Sequence, residues 1–455
     1  MEKDSTVRLQ WVAAVAIMLF ALLAPALWNG FPLVFADTGG YLARPFERSL
    51  DIGRSALYGA VLAVSVPLNF WPVIVVQAAV CVWVIVLTLR AHGVTSPGTA
   101  ASIVLSLTVL TALPWYTAQL MPDIFFSLSV LALYLLAFRR AQLRGWEVTV
   151  LTAVMVFASA SHMGILALLL VLLAVLAVLR PLLPRLLLPR PQLSAPAFGL
   201  AAGLMLAPLS NLAIAGQFTF TPGGTNFLFS RLVQDGVIAR YLADRCPDST
   251  VSLCPYRDQM PTSADGWLWG YDSPLHKLGW WQQFEPEAKR IIGETLLLYP
   301  GVHIGTAAKS TLMQLVALRS GDGMGARDNW HAEGIFERFA PNVLAHFRAS
   351  HQQSDGLFPQ WLNWVHVPVA FLAMAALSAV VILRASGRAA PPAAALALTV
   401  LLALFANAVI SGVFSNPNHR YQSRIAWLAP LAVALAAFGA RSVRERRLNA
   451  DRVES

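Results

Sequence analysis

The sequence predicts an all-α polytopic membrane protein, and three features lead to that prediction. Of the 455 residues, 57% are hydrophobic and only 13% are charged, whereas soluble domains carry about 25% charged residues. Many stretches of about twenty residues contain no charge, which is the length that a helix needs to cross the hydrocarbon core. We therefore expect about ten transmembrane helices and a small extracytoplasmic domain.

The candidate spans begin close to the N-terminus. The first apolar run is too long for a signal peptide and precedes no small-residue cleavage site, so we expect a retained first helix. Residues 56–69 are apolar but short and end at Pro67, which predicts a helix along the membrane interface. The ten candidate spans are residues 9–28, 70–89, 99–115, 122–138, 148–160, 163–179, 195–214, 365–383, 391–411 and 424–440.

Residues 148–179 form one apolar stretch broken by "SASHMG", which is either one crossing or a hairpin of two short helices. Arginines cluster at 139–144 before the stretch and at 180–190 after it. A single crossing would put the two clusters on opposite sides, but arginine and lysine concentrate in cytoplasmic loops. The charge pattern favours the hairpin, which gives ten spans and places both termini in the cytoplasm.

This topology divides the chain into four parts. They are a transmembrane module at 1–214, an extracytoplasmic domain at 215–364, the last three spans at 365–441 and a basic cytoplasmic tail at 442–455. We expect the protein in a bacterial inner membrane, with the extracytoplasmic domain in the periplasm of a Gram-negative host. Within that domain an amphipathic helix is predicted at 287–318.

The three cysteines fall into two settings. Cys81 lies in an apolar span and is interpreted as a packing residue. Cys246 and Cys254 lie in the long polar segment, on the oxidising side of the predicted topology, where a disulfide is favoured. A zinc pair is the weaker alternative, because no histidine or cysteine stands at ligand spacing.

Several function classes lack support in the sequence. The formal net charge is +9, but the basic residues lie in short loops and at the C-terminus, without the interleaved aromatics of a nucleic-acid site. No Walker, GxSxG or HExxH motif is present, so ATP-driven transport, hydrolase and zincin chemistry are not indicated. The stretch "GDGMGARDNW" lacks the flanking strand and helix of a phosphate-binding fingerprint and is interpreted as a flexible loop.

Arginines in the first outer loop break the positive-inside pattern. Arg44, Arg48 and Arg54 lie there, and pairing with Glu47 and Asp51 or contact with lipid headgroups would explain them. An anionic ligand is the alternative, because the arginine fork matches phosphate geometry.

The last outer loop, "SNPNHRYQSR", carries two more arginines, Arg420 and Arg424. Arg420 adjoins His419 and Tyr421 and stands just before a membrane span, at the level where a lipid phosphate would lie. For Arg420 a phosphate ligand is therefore favoured.

Asp37, in "FADTGGYL", is a carboxylate near the predicted outer membrane surface. It could cap the helix that begins near Thr38. Between apolar surfaces it is also suited to act as a general base, because exclusion of water would raise its pKa toward neutrality. The two glycines that follow would let a substrate approach closely.

Asp123 and His162 are two further ionisable residues at predicted membrane boundaries. Asp123 follows Pro122 at the start of a span, where the helix dipole favours an acidic residue, or else it faces the same cleft as Asp37. His162 interrupts the hairpin, where an interhelical hydrogen bond is the ordinary role and a catalytic contact the alternative.

In the order of these features the chain resembles the GT-C superfamily of integral membrane glycosyltransferases. The similarity runs through "FADTGGYL", "GRSALYGAVLAV", "VIVVQAAVCVWVIVLTLRAHG", "MPDIFFSLSVLALYLL" and "HRYQSRIAWLAP". By layout it covers residues 1–214 and 365–440. Two features depart from the family's pattern: Asp37 stands alone where several families have an acidic pair, and 215–364 resembles no accessory domain that we can place.

The resemblance implies that a sugar moves from a polyprenyl-phosphate-linked donor, held among membrane lipids, to an acceptor hydroxyl on the outer face. Asp37 would be the general base and Asp123 a second catalytic carboxylate. The residues that would bind the donor phosphate are Arg420, Tyr421, Arg54, Arg44 and His419. The residues that would line the cavity are His162, Tyr41, Tyr58 and Gln77. The acceptor (a glycan, lipid or protein) and any use of a divalent metal stay open.

Two other classes compete with this interpretation. A transporter or lipid flippase would show two related halves and charges inside the bundle, and the sequence shows neither. A non-catalytic assembly protein of the cell envelope would need only residues 215–364. The glycosyltransferase hypothesis instead requires Asp37, Asp123 and Arg420 to line one outward-facing cavity next to a lipid-sized groove.

Overall fold

The computed structural model describes residues 2–246, 251–354 and 356–440, and the predicted basic tail at 442–455 lies outside these residues. The described chain is helical and contains no β-strand. Its extended pairing is limited to two isolated bridges, Leu33 with Gln119 and Asp51 with Arg54. The all-α prediction is confirmed.

The helices follow the apolar pattern of the sequence. In the first part they are α1 (Glu2–Asn29), α2 (Ala36–Glu47), α3 (Ala56–Ser65), α4 (Trp71–Ala91), α5 (Pro97–Leu110), α6 (Leu113–Thr117), α7 (Ile124–Phe138), α8 (Gly145–Ser161), α9 (Met163–Leu179) and α10 (Ser194–Ala215). In the middle they are α11 (Gly224–Gln234), α12 (Val237–Arg245), α13 (Ala264–Trp269), α14 (Pro274–Lys277), α15 (Trp280–Leu298), α16 (Pro300–Leu315), α17 (Trp330–Phe339) and α18 (Leu344–Arg348). The last are α19 (Asn363–Ala385), α20 (Pro391–Phe414) and α21 (His419–Ala426), after which the helix resumes and reaches Ala440.

Six helical segments among the described residues are long and apolar enough to cross a membrane. They lie in α1, α4, α10, α19, α20 and the segment His419–Ala440. The helices α5, α7, α8 and α9 are equally apolar in character but shorter, with 14 to 17 residues each. The chain is therefore a membrane protein by the length and composition of its helices.

The apolar stretch 148–179 is broken at His162. α8 ends at Ser161 and α9 begins at Met163, and His162 between them has extended backbone angles (φ −153°, ψ 123°). The His162 Nδ1 accepts the N–H of Gly164 at 2.9 Å, which satisfies one of the unpaired donors at the start of α9. One histidine thus ends one helix and caps the next.

Hydrogen bonds gather the arginine-rich loops at one end of the bundle. Arg90 at the end of α4 binds Glu147 at the start of α8, with an N–O distance of 2.6 Å. The loop before α10 meets the end of α7, where Gln192 donates its N–H to the carbonyl of Ala137 at 2.8 Å. Arg384 at the end of α19 donates to the loop that follows α9 at 2.6 Å. The two arginine clusters that flank the α8–α9 pair therefore lie at the same end, as a hairpin requires.

The remaining loops between the helices meet at the other end of the bundle. The Ser55 hydroxyl of the first loop (residues 48–55, between α2 and α3) donates to the carbonyl of Ala160 at 2.7 Å, beside the break between α8 and α9. The Leu33 N–H donates to the carbonyl of Ala118 at 3.0 Å, which ties the segment between α1 and α2 to the turn between α6 and α7. This second end of the bundle collects the segments that carry Asp37 and its neighbours.

Residues 215–364 contribute to two hydrophobic cores in addition to the bundle. The helices α11 to α15 enclose one core around Phe229, Trp267 and Phe284. The helices α17 and α18 pack with α2 and α3 in another, around Phe336 and Phe347. Between these parts, α16 packs along α20.

The prediction of one continuous amphipathic helix at 287–318 is wrong, because the structure has two helices there. α15 ends at Leu298, α16 begins at Pro300, and Tyr299 between them has φ −129° and ψ 47°. Proline disfavours helical angles in the residue before it and is well suited to the first position of a new helix.

The cysteines take two different roles. Cys246 at the end of α12 is joined by a disulfide to Cys254, which opens a 3-10 turn. Cys81 is free and buried within α4.

Candidate functional site

Asp37 lies in the first turn of α2, and Thr38 rather than Asp37 fixes the start of that helix. The Phe35 N–H donates to the Thr38 hydroxyl at 3.0 Å, and this hydroxyl donates to the carbonyl of Leu120 at 3.1 Å. The threonine side chain therefore reaches back to satisfy an N-terminal amide. Because Asp37 is not the capping residue, its carboxylate is left to other partners.

The glycines after Asp37 are closed off by protein atoms. A Cβ on Gly40 would lie 2.5 Å from Cδ of Arg54, and one on Gly39 would lie 2.7 Å from the backbone of α17. Gly40 therefore lets the Arg54 side chain cross α2 at close range, and Gly39 lets α17 pack on it. The expectation that these glycines admit a substrate is wrong, because other parts of the chain already occupy the space.

Two arginines from distant segments hold Asp37. Arg54 Nη2 lies 2.6 Å from one carboxylate oxygen, and Arg420 Nη1 lies 3.3 Å from the other. Arg54 also binds Asp51 of its own loop, at 2.6 Å. One third of the Asp37 side chain (33%) stays exposed, so this carboxylate is both ion-paired and accessible.

Asp123 lies at the start of α7 and is fully buried. It makes no side-chain cap hydrogen bond to α7. Its two oxygens instead accept from Arg420 (Nε at 3.1 Å and Nη2 at 2.8 Å) and from Arg424 (Nη1 at 3.1 Å). Arg420 thus bridges a buried and an accessible carboxylate. We call this group the charge cluster, and its members are Asp37, Arg54, Asp123, Arg420 and Arg424.

Aromatic rings cover the guanidinium groups of the charge cluster. The Arg420 guanidinium carbon lies 3.8 Å from the ring centre of Phe35, and that of Arg424 lies 3.3 Å from the ring centre of Phe126. The ring of Trp269, on α13, lies 5.6 Å from Arg54. Such ring faces attract cations and keep water away, so the arginines are fixed for charge-assisted hydrogen bonds.

The electrostatics of Asp37 are opposite to the prediction. Burial raises the pKa of Asp37, but the positive charges of Arg54 and Arg420 and their hydrogen bonds outweigh it, so that the pKa lies below its ordinary value of 3.8. The predicted rise of the Asp37 pKa toward neutrality is wrong, because the sequence did not show that two arginines would bind this carboxylate. Burial lowers the pKa of Arg54, but Asp37 and Asp51 outweigh burial and raise it. Asp37 and Arg54 are therefore both charged at neutral pH.

Arg44 does not join the charge cluster. Its guanidinium binds Glu47 at 3.0 Å, the Ser49 hydroxyl at 2.8 Å and the carbonyl of Gly40 at 2.9 Å. Arg48 ends α2 in a left-handed conformation (φ 49°). The ordinary interpretation of Arg44, pairing with a neighbouring acidic residue, is the one that the structure shows.

Of the two sequence neighbours of Arg420, His419 contacts another segment, whereas Tyr421 contacts one arginine of the charge cluster. The His419 Nδ1 accepts the backbone N–H of Arg319 at 3.2 Å. The Tyr421 ring lies 5.0 Å from the guanidinium carbon of Arg424. They support the loop and the helix that carry the charge cluster, and neither binds its carboxylates.

Four other predicted residues lie near the charge cluster but are packed. Tyr41 meets Tyr58 edge to face at 5.4 Å, and the Tyr58 hydroxyl donates to Gln77 at 2.9 Å. Gln77 in turn donates to two backbone carbonyls, one at the last residue of α6 and one in the turn that follows it. His162 packs edge to face on Phe126 at 5.0 Å. The first three are buried, so they shape the floor below the charge cluster instead of lining an open cavity.

Several residues of the site were not among the predicted site residues. Arg424 carried a usable signal, because it stands four residues after Arg420 and so shares its helix face. Phe35, Phe126 and Trp269 carried none, because single aromatic residues in an apolar chain are ordinary. Their place beside arginines depends on contacts between distant segments.

The side chains around the charge cluster include few metal-ligating groups. Among the described residues, no group of three or more histidine, cysteine, aspartate and glutamate side chains is placed to hold a metal ion. Charge balance comes from arginine instead, since the two carboxylates of the charge cluster are shared among three guanidinium groups.

The chain was also compared with known proteins. No protein-family model, no curated protein and no solved structure matches it.

Proposed function

We propose that the protein is a membrane glycosyltransferase of the GT-C type, which moves a sugar from a polyprenyl-phosphate-linked donor to an acceptor hydroxyl. The observation that carries this proposal is the meeting of Asp37, Asp123, Arg54 and Arg420 at one end of the bundle. An accessible carboxylate beside fixed guanidinium groups suits the deprotonation of a hydroxyl next to a phosphate leaving group.

The proposed topology has ten spans. The six long helical segments and the shorter α5, α7, α8 and α9 supply them, with both termini in the cytoplasm. The end that gathers the arginine-rich loops would face the cytoplasm, following the positive-inside rule. The charge cluster would then face the periplasm of an inner membrane, together with the helices between α10 and α19.

Asp37 is the proposed general base. Its carboxylate is one-third exposed, while Asp123 has no exposed side-chain surface. The acceptor oxygen attacks the anomeric carbon as its proton passes to Asp37. The bond from that carbon to the phosphate oxygen breaks, and the lipid phosphate leaves with the electron pair.

Arg54 is the proposed phosphate ligand. Its guanidinium already binds two carboxylates, and a donor phosphate would exchange with Asp37 there, since both are oxyanions. That exchange would release Asp37 from one positive charge and raise its pKa toward the range of an effective base. The lipid tail would lie along the apolar helices.

Asp123 is a positioning residue in this scheme. All three guanidinium nitrogens of Arg420 are engaged, two by Asp123 and one by Asp37. Asp123 therefore fixes Arg420, and Arg420 fixes Asp37. This role replaces the predicted one of a second catalytic carboxylate, because a fully buried side chain does not reach substrate.

Substitution of Asp37 tests the proposal. The variant Asp37→Asn should insert and fold but lose transfer by about a hundredfold or more, the usual contribution of a general base. Mass spectrometry of envelope glycans and polyprenyl-linked sugars would compare a deletion strain complemented by each variant. The matched control is Glu47→Gln, a carboxylate on the same helix that pairs with Arg44. Retained transfer by purified Asp37→Asn would reject the assignment.

A further inference from the structure

A small cavity lies next to the charge cluster, between the first loop and the ends of α8 and α10. The residues of its lining that matter here are Ser55, Ser159, Met163, Ala207, Asn211 and Phe220. Arg54 stands between two lining residues of the first loop, and its guanidinium turns to Asp37 and Asp51. The cavity and the Asp37 carboxylate therefore lie on two sides of the same short stretch of backbone.

The helices α8 and α10 pack closely next to the cavity. α10 presents small residues at four-residue spacing, and a Cβ on Gly203 would lie 2.5 Å from Cβ of Ser159 on α8. Small residues at this spacing let membrane helices touch. Ala207 and then Asn211 continue this face of α10, and the cavity begins beside them. Pro208, also in α10, has no backbone N–H to donate to the helix hydrogen bonding.

Asn211 brings an unused acceptor to this space. Its Nδ2 donates to the carbonyls of Thr219 at 2.8 Å and Phe220 at 3.0 Å, so both amide hydrogens are engaged. The side-chain atom that remains is Oδ1, which is buried and has no hydrogen-bond partner among the described residues. A buried acceptor without a donor is costly, so the site needs a donor from outside the chain.

Ser159 brings a second unused group. Ser159 lines the same cavity, and its hydroxyl is buried and has no hydrogen-bond partner among the described residues. Asn211 Oδ1 can only accept, whereas the Ser159 hydroxyl can accept or donate. Together they match one hydroxyl group, which would donate to Asn211 and accept from Ser159.

The lining excludes ions. It contains no acidic, basic or histidine side chain, and an uncompensated charge in such surroundings would be strongly unfavourable. Met163, Ala207 and Phe220 supply apolar surface around the two polar groups. The cavity therefore suits a neutral, hydroxyl-bearing group and does not suit a phosphate.

We infer that this cavity binds one hydroxyl group of the transferred or accepting sugar. The inference rests on the proposed function, because it assigns the cavity to the same substrate. Ser159 and Asn211 would hold the ring by one hydroxyl while the Arg54 guanidinium, on the far side of the loop, binds the phosphate. The division places a neutral subsite beside an anionic one and would fix the sugar's orientation relative to Asp37.

The test measures binding of neutral glycosides to the full chain in lipid nanodiscs. The probes are methyl glycosides of glucose, galactose, mannose, N-acetylglucosamine, xylose and arabinose, each with its decyl counterpart. Methyl glycosides represent a free sugar and decyl glycosides a lipid-borne one. At least one probe should raise the thermal unfolding midpoint, and its affinity should fall by roughly tenfold in Asn211→Leu and in Ser159→Ala.

A matched control is Ser210→Ala, since Ser210 is a buried serine of α10 whose hydroxyl donates to the carbonyl of Ala207. This variant should bind the probe as the wild type does. Binding by none of the glycosides, or equal binding by wild type, Asn211→Leu and Ser159→Ala, would overturn the inference and indicate that the cavity holds water.

Asp37→Asn separates this inference from the proposed function. The variant should keep glycoside binding and lose transfer. If it keeps transfer while Asn211→Leu loses glycoside binding, the proposed chemistry fails and the hydroxyl-binding cavity stands. If Asp37→Asn loses transfer while Asn211→Leu still binds the glycosides normally, the proposed chemistry stands and the hydroxyl-binding cavity is rejected.

Discussion

Asp37 and Asp123 are both ion-paired carboxylates, and their exposure separates what they can do. Asp37 is one-third exposed and shares two arginines, whereas Asp123 is unexposed and is held by Arg420 and Arg424. Buried charges persist only when they are paired and hydrogen-bonded. Asp123 therefore belongs to the support of the site and Asp37 to its surface.

Replacing the buried carboxylate of Asp123 should lower the stability of the fold. Asp123→Asn leaves two guanidinium groups without their buried counter-charge, and breaking a buried pair in this way costs about 3–5 kcal/mol. We expect a clearly lower thermal unfolding midpoint for the purified protein. Asp51→Asn, at a partly exposed pair, should shift the midpoint far less. Equal shifts in the two variants would contradict the central role of Asp123.

The low pKa of Asp37 gives a prediction for pH. The carboxylate has a pKa below 3.8 in the folded chain, so its ion pairs stabilise the fold above that value and are lost as pH falls through the folded pKa. The acid limb of kcat/KM, which reports the free enzyme, should lie below about pH 4.

The acid limb of kcat should lie at higher pH, because a bound phosphate would draw Arg54 away from Asp37. Arg54→Gln should move the acid limb of kcat/KM upward as well, since one of the two positive charges is gone. The check is a pair of pH–rate profiles for wild type and variant. Coincident limbs for kcat and kcat/KM in the wild type would argue against exchange at Arg54.

At the scale of elements, α2 carries the site because glycines let its neighbours approach. Gly40 makes room for the Arg54 side chain, and a Cβ on Gly59 of α3 would overlap the carbonyl oxygen of Tyr41. These two contacts set the distance between the first loop and α2. The position of Arg54 relative to Asp37 follows from that distance.

Filling the space at Gly40 should therefore impair the site selectively. In Gly40→Ala the new methyl would lie 2.5 Å from Cδ of Arg54, so the guanidinium must move away from Asp37. A displacement of about 1 Å can cost about a hundredfold in rate, and we expect a loss of that order in the transfer assay. Gly293→Ala on α15, where no atom lies within 4 Å of the new methyl, is the control. Unchanged transfer by Gly40→Ala would show that Arg54 placement is unimportant.

The break between α8 and α9 at His162 also helps to position the site. The short helices α8 and α9 return the chain to the end from which it came, and the loop at the break receives the Ser55 hydroxyl at Ala160. The same short segment thus anchors the first loop that carries Arg54. The polar stretch "SASHMG" located this break in the sequence, and the arginine clusters on both sides favoured a hairpin over a single crossing.

At the scale of the whole molecule, the two ends of the bundle differ in charge and content. One end ties together the loops rich in arginine, and the other carries the charge cluster and α11 to α18. This asymmetry predicts an orientation in the membrane. The arginines of the charge cluster do not contradict it, because each is bound to a carboxylate.

Thiol labelling tests the orientation. The native cysteines are buried or bonded in a disulfide, so an introduced cysteine at an exposed position reports alone. Tyr271→Cys, at a side chain that is 96% exposed, should react with a membrane-impermeant maleimide in intact spheroplasts. Arg185→Cys, in the loop after α9, should react only after the membrane is opened. Reaction of both from the same side would refute the topology.

The sequence also identified several residues of the charge cluster, for a physical reason. Asp37, Asp123 and Arg420 were found because charged residues in an apolar chain need partners, and few candidates exist. Arg44 was predicted as a phosphate ligand, with pairing to Glu47 as the alternative, and the structure pairs Arg44 with Glu47. The pKa of Asp37 was misjudged because its sign depends on whether burial or two distant arginines dominates, which only their distances decide.

What the sequence determined by itself was the all-helical class, the apolar segments, the break at His162 and the set of charged residues that needed partners. These follow from local pattern and from the cost of unpaired charge in an apolar setting. The tertiary structure alone decided that Asp123 is buried and Asp37 accessible, that glycines serve packing, and that Asn211 and Ser159 line one cavity. Those facts depend on contacts between segments far apart in the chain, and no local pattern encodes them.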